Sequence, residues 1–285
     1  MSNKICFFIL TCARSGSTSL TTILNEANNG ICAVEPSPNL NYETREMMKG
    51  RLENPNIIID KYITPRVESA LRDVNIYGEK NLTYGPFIKS LYEKFNCKFI
   101  YLKRDGREVV RSMMDWHNRM FGSIYRECKD IANIAPRALF SAGRLPVHLD
   151  MSDYSRPRPL KGEEYYDIWE DMKREEMCAY YWSKINDIYL SELKMIPCEQ
   201  WVEIDYTKPT TEDILTVAEF CGLKGLNESI VNKMLNEKIN SLKERCEESP
   251  QYPKWNMWDV GLKESFINIA GNTMKENGYN VSSEL

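Results

Sequence analysis

An apolar run, Ile5 to Leu10, leads into Thr11-Cys12-Ala13-Arg14-Ser15-Gly16-Ser17-Thr18-Ser19-Leu20, and from Leu20 onward apolar residues recur at Ile23, Leu24 and Ala27. The first segment has the length of a buried strand, and the second has the i, i+3, i+4, i+7 spacing of a helix. Between them lies a loop of small residues. Such a loop at a helix N-terminus lets successive backbone N–H groups converge on one point. Ser15, Ser17, Thr18 and Ser19 add hydroxyls, and Arg14 adds a planar positive fork. This is a cradle for a phosphate-like anion, although taken alone the stretch also suits a serine-rich cap on a buried helix. It is not the ATP-binding G-x-x-x-x-G-K-[ST] loop, because Ser17 follows Gly16 and the cation, Arg14, precedes it. The cradle is therefore expected to hold phosphate without the lysine and magnesium of that motif.

Strand-like and helix-like segments alternate after this start. Ile31 to Val34 reads as a second strand, with Gly30 as a left-handed cap on the first helix, and it delivers Glu35-Pro36-Ser37-Pro38. Tyr42 to Gly50 reads as a short helix and Asn56 to Tyr62 as a strand or loop. Val67, Ala70, Leu71 and Val74 mark a helix, Ile76 to Lys80 a strand, and Ile88, Leu91, Tyr92 and Phe95 a helix after Pro86. Lys98 to Leu102 is the next strand, ending at Lys103-Arg104-Asp105-Gly106, with a helix from Arg107 to Asp115. Residues 121–161, with four prolines and several arginines, read as an irregular insertion of the kind that forms a lid or acceptor-binding loop. A helix is expected over Glu163 to Leu193, whose aromatics from Tyr165 to Trp182 suit a core face or a sugar site. Trp201 to Tyr206 is a last strand, followed by a helix capped by Thr210 or Thr211 and closed by Gly222. The alternation predicts an α/β fold: a central parallel sheet flanked by helices, in one domain over residues 1–285. Ligands of such sheets sit beyond the carboxyl ends of the strands. The cradle, Glu35, Lys80 and Arg104 all fall there.

Bulk properties narrow the function. A net charge of −4 over 285 residues carries no global basic field for nucleic acid. Nine scattered cysteines with no C-x-x-C pair, and two histidines, argue for free thiols in a reducing compartment and against a metal site. The first apolar run is too short to span a bilayer. As a signal peptide it would be cut near Cys12 and lose the cradle, so a cytoplasmic protein is expected.

Three segments together resemble the sulfotransferases that use 3′-phosphoadenosine-5′-phosphosulfate (PAPS). Ala13-Arg14-Ser15-Gly16-Ser17-Thr18 is similar to their 5′-phosphosulfate loop. Phe99 to Ser112 is similar to their 3′-phosphate motif, in which an Arg at a strand end and a Ser eight residues on grip one phosphate; here these are Arg104 and Ser112. Val202-Glu203-Ile204-Asp205-Tyr206, followed by Pro209 and a helix, is similar to the segment beside the adenine. PAPS has phosphate groups at both ends of its ribose, so it needs two anion sites, and arginine suits both. Arg104-Asp105-Gly106-Arg107 alone would also suit a solvated turn.

The resemblance implies a P-loop-like three-layer sandwich and sulfuryl transfer from PAPS to a hydroxyl of a small-molecule or glycan acceptor. Adenosine 3′,5′-bisphosphate would be the product, and no metal takes part. Arg14, Ser15, Gly16, Ser17, Thr18, Ser19, Arg104, Ser112 and Tyr206 would bind the donor, and Arg14, Glu35 and Lys80 would carry the chemistry. Cytosolic members have a His base two residues after a Lys, but Leu82 stands two residues after Lys80 here. Other members use a Glu after the second strand, which is Glu35, with Glu43 and Glu79 in reserve. Each has a plainer reading: a turn carboxylate for Glu35, an exposed lysine for Lys80, a core aromatic for Tyr206. Lys254-Trp255 is a further candidate contact, and His117 and His148 read as structural. The alternatives are a P-loop kinase of nucleotides or small molecules, which lacks its Lys and magnesium-holding carboxylate here, and a non-catalytic nucleotide-binding module.

Overall fold

The alternation of side chains along five short strands decides the layering. A computed structural model describes residues 4–116, 157–237, 241 and 250–281. β1 (Ile5–Leu10) is the centre of a sheet ordered β2-β3-β1-β4-β5, with β2 at Gly30–Val34, β3 at Ile76–Asn81, β4 at Lys98–Lys103 and β5 at Trp201–Asp205. All four pairings are parallel. Both faces are covered, so β1 is apolar throughout rather than alternating. Phe7 and Ile9 pack with α1 (Ser17–Leu24) and with the later helices α8 (Thr211–Cys221) and α9 (Glu228–Asn236). Cys6, Phe8 and Leu10 face the other layer. That layer holds α4 (Thr64–Asp73), α5 (Ile88–Phe95), α6 (Gly106–Trp116), α7 (Arg174–Leu193) and α10 (Val260–Glu276). The expected sheet between two helix layers is what forms.

Register brings the site together. Lys80 of β3 is level with Ile9 on one side and Val34 on the other, and Leu10 is level with Tyr101. Because every strand runs the same way, the residues after Leu10, Val34, Lys103 and Asp205 leave the sheet at one edge.

Three local expectations are corrected. Gly30 is not a helix cap but the first residue of β2. α1 ends earlier, at Leu24, and the Asn25 side chain accepts from Cys32 N at 2.7 Å and donates to Cys32 O at 2.9 Å, tying helix to strand. The glycine serves close packing: a Cβ there would lie 2.7 Å from Leu223 Cδ2 and 2.9 Å from Ile76 Cβ. Residues 56–62 are helical rather than strand or loop. Asn54 caps α3 (Pro55–Ile58) by accepting from Asn56 N at 3.0 Å, Pro55 fits the first turn, and a π-helical turn, Ile59–Ile63, runs on into α4. Finally, the helix expected from Glu163 begins at Arg174. Glu163 instead closes a turn on Leu160 N at 2.8 Å, and Glu176 caps the true start by accepting from Lys173 N at 2.7 Å. α2 (Asn41–Met48) forms as expected. The expected insertion lies outside the described residues up to 156, as do His117 and His148.

Candidate functional site

The first helix starts on Gly16, at φ +94°. No side chain caps α1, and no acidic residue lies in its first turn. Its first intrahelical bond runs from Leu20 N to Gly16 O at 3.1 Å, so the N–H groups of Ser17, Thr18 and Ser19 have no partner within the helix. An uncapped helix start with three N–H groups left over suits an anion. Gly16 is required twice over. A left-handed φ strains any other residue, and a Cβ would lie 2.3 Å from Cδ1 of Tyr206. We expect Gly16→Ala to cost about 1–3 kcal/mol of stability in thermal unfolding and to remove anion binding at the loop.

Two of the four loop hydroxyls already have a side-chain partner. Ser15 Oγ lies 2.8 Å from Cys12 Sγ, both buried, and Ser19 Oγ accepts from Tyr206 Oη at 3.0 Å. Ser17 and Thr18 stay at the first turn. Tyr206, at the end of β5, is buried with its ring on Gly16, and burial pushes its phenol above the ordinary value. It borders the loop and braces it.

The loop is also held from behind by α7, a contribution that motif reading missed. Ala13 N donates to Tyr181 Oη at 2.8 Å. Tyr189 Oη lies 3.0 Å from Thr11 O and 3.1 Å from Leu82 O. Trp182 Nε1 donates to Arg104 O at 3.0 Å. The aromatics of this helix are core, as one of the two readings had it. The signal was present: a 20-residue helix whose Tyr180, Tyr181, Trp182 and Tyr189 are too many for one amphipathic stripe.

The segment expected to hold the second phosphate meets the loop. Arg104 Nη1 donates to Arg14 O at 3.0 Å, across 90 positions of sequence. Arg14 Nε donates in turn to Ser112 Oγ at 3.1 Å, and its guanidinium lies 4.0 Å over the Trp116 ring. Arg111 Nη2 pairs with Glu108 at 3.1 Å, and Arg104 Nη2 is 3.9 Å from the same carboxylate. Two guanidiniums, those of Arg104 and Arg111, thus share one carboxylate. Burial pulls the Arg104 pKa below its ordinary value against the opposing pull of Glu108. Its Nε is buried with no partner among the described residues. A desolvated cation short of counter-charge fits a phosphate ligand.

Glu35 and Lys80 form the third part. Glu35 leaves β2 at φ +44°, its N–H donates to Lys80 O at 2.7 Å, and Lys80 Nζ donates to its carboxylate. The Lys80 side chain is only 5% exposed, whereas that of Glu35 is 42% exposed. Lys80 is therefore not a solvated lysine: a buried ammonium sits under a carboxylate that solvent or an acceptor can reach. The reserves are different. Glu79 is fully buried and saturated by Arg66, Tyr77 and Tyr84, and Glu43 is buried on α2. Neither is open to an acceptor. Lys254 is exposed, and its neighbour Trp255 is buried beneath Arg107, 5.5 Å from its ring. Among the described residues no three His, Cys, Asp or Glu side chains are gathered as a metal site.

A family model, the sulfotransferase domain, matches residues 5–259. The chain belongs to the sulfotransferase family. Solved structures agree on the fold of this sulfotransferase. The sulfotransferase domain from the curacin biosynthetic pathway is 14% identical, with a TM-score of 0.53 over 97% of this chain and 98% of that one. Mouse sulfotransferase SULT7A1, complexed with PAP, is 13% identical, with a TM-score of 0.50 over 95% and 85%. No curated protein sequence matches this sulfotransferase. Among its described residues no helix is long and apolar enough to cross a membrane.

Proposed function

We propose that this sulfotransferase moves a sulfuryl group from PAPS to a hydroxyl of a small-molecule or glycan acceptor. The observation that carries the reading is the 3.0 Å contact between Arg104 and the Arg14 carbonyl. That contact supports reading the loop and Arg104 as two adjoining anion sites, as a nucleotide with phosphates on either side of one ribose would need. The first turn of α1, with Ser17 and Thr18, would hold the 5′-phosphosulfate. Arg104 and Ser112 would hold the 3′-phosphate, with Tyr206 bordering the adenine side.

Bound PAPS supplies a sulfuryl group on a good leaving phosphate. The chain's residues do the rest. Glu35 accepts the proton from the acceptor hydroxyl as that oxygen bonds to sulfur and the bridging S–O bond breaks. Lys80 places positive charge where the departing phosphate gains negative charge, and Arg14 would share that role on leaving Ser112 Oγ. The Glu35–Lys80 pair keeps base and cation within one hydrogen bond of each other before the acceptor arrives.

Thermal unfolding tests the donor assignment. Adenosine 3′,5′-bisphosphate without magnesium is expected to raise Tm by several degrees, and ADP to do little. A preference for ADP or ATP with magnesium would point to the kinase instead. Release of the bisphosphate from PAPS across a panel of sugar, phenol, lipid-headgroup and tyrosyl-peptide acceptors then names the acceptor class.

A further inference from the structure

We propose that Arg66 is a positioning residue that holds the turn carrying Glu35; the inference rests on the assignment of Glu35 as base. The turn from Glu35 to Leu40 has positive φ at both ends, +44° and +62°. Strained backbone of this kind persists only where the surroundings impose it. Its start is fixed by the bond from Glu35 N to Lys80 O, and its end by Asn81 Nδ2 and Thr83 Oγ1, which donate to Asn39 O at 3.1 and 2.8 Å. Between them, the carbonyls of Ser37 and Pro38 lie 3.4 and 3.3 Å from Nη1 of Arg66.

The other two nitrogens of that guanidinium are locked. Nε and Nη2 grip the two oxygens of Glu79 at 3.0 and 3.1 Å. Glu79 is 0% exposed and also accepts from Tyr77 Oη at 2.8 Å and from Tyr84 Oη. Burial opposes the charge on Arg66, but the bond and the charge of Glu79 outweigh it and hold the guanidinium above its ordinary pKa. One dipeptide of β3 thus sets the base from two directions. Lys80 pairs with the Glu35 carboxylate, while Glu79, through Arg66, holds the backbone that follows it. Only a planar fork can do this: two arms for the carboxylate and one for the turn. A lysine would keep the ion pair and lose the third arm.

The test is Arg66→Lys in two backgrounds, read as single-turnover release of the bisphosphate from PAPS, with the best acceptor of the panel or with water. In the native background the rate should fall about 10- to 100-fold, as expected for a reacting group displaced by a fraction of an ångström to an ångström. The bisphosphate Kd should stay within about twofold, since Arg66 contacts neither anion site. In a Glu35→Gln background the same change should cost nothing further. Amide hydrogen exchange at Ser37, Asn39 and Leu40, the residues of this turn after Glu35 that carry an amide hydrogen, should speed up. Equal losses in both backgrounds would mean a general structural role and overturn the proposal, as would a native-background rate within twofold of the parent. If Glu35→Gln itself retains full rate, the base assignment falls first and takes this inference with it. Should Arg66→Lys fail to fold, Glu79→Gln, which keeps the shape of the side chain, carries the same cycle.

Discussion

Glu35→Gln is expected to lower kcat by about 10²- to 10⁴-fold, the span that removal of a general base covers. Gln keeps the shape of the side chain and can still accept a bond from Lys80, but it cannot take the acceptor's proton. Donor binding should survive, because Glu35 belongs to neither anion site: the midpoint shift caused by the bisphosphate should persist. The apo protein should lose some stability, since the Lys80 ammonium, 5% exposed, is left without a counter-charge. The decisive comparison is kcat against the bisphosphate Kd. A variant that keeps both would remove Glu35 from the mechanism. A variant that loses both would mean the turn has collapsed.

The second large effect lies at the other end of the site. Arg104→Gln should weaken bisphosphate binding by about 100-fold, or about 3 kcal/mol, from the loss of charge-assisted bonds to one phosphate. Part of that cost is indirect. Arg104 Nη1 also bonds the Arg14 carbonyl, so the variant frees the loop at the residue before Ser15. Calorimetric titration separates the two. Adenosine 5′-phosphosulfate, which lacks the 3′-phosphate, should lose affinity only through the loop, and so by much less than the bisphosphate. Equal losses for both ligands would remove Arg104 from the 3′-phosphate site.

Much of this site is legible in the chain because it lies on elements with local rules. β1 and its loop announce themselves by an apolar run, a stretch of small residues and a helical repeat. Arg104 and Ser112 are legible through the resemblance, because their eight-residue spacing is that of the family's 3′-phosphate motif; alone, that stretch also reads as a solvated turn. The parallel order brings Glu35 and Lys80 to the same edge without any knowledge of tertiary contacts. The start of α7 and the helical turn at 55–63 are harder, since capping by Glu176 and by Asn54 competes with apolar patterns that run past them. Arg66 was out of reach. On the sequence it is one more charge on an amphipathic helix, and its partners on β3 and in the turn depend on how α4 lands on the sheet. The partners of the Ser15 and Ser19 hydroxyls, Cys12 and Tyr206, are likewise a result of packing.

Tyr181 and Tyr189 have a consequence for anyone who wishes to move this loop elsewhere. Residues 11–20 are not an autonomous cassette. Transplanted to a different strand–helix junction, they would leave behind the phenols that answer Ala13 N and Thr11 O. Each unanswered buried group would cost about 1–3 kcal/mol. A minimal version of this loop cut from the fold has to include a helix from the other half of the chain.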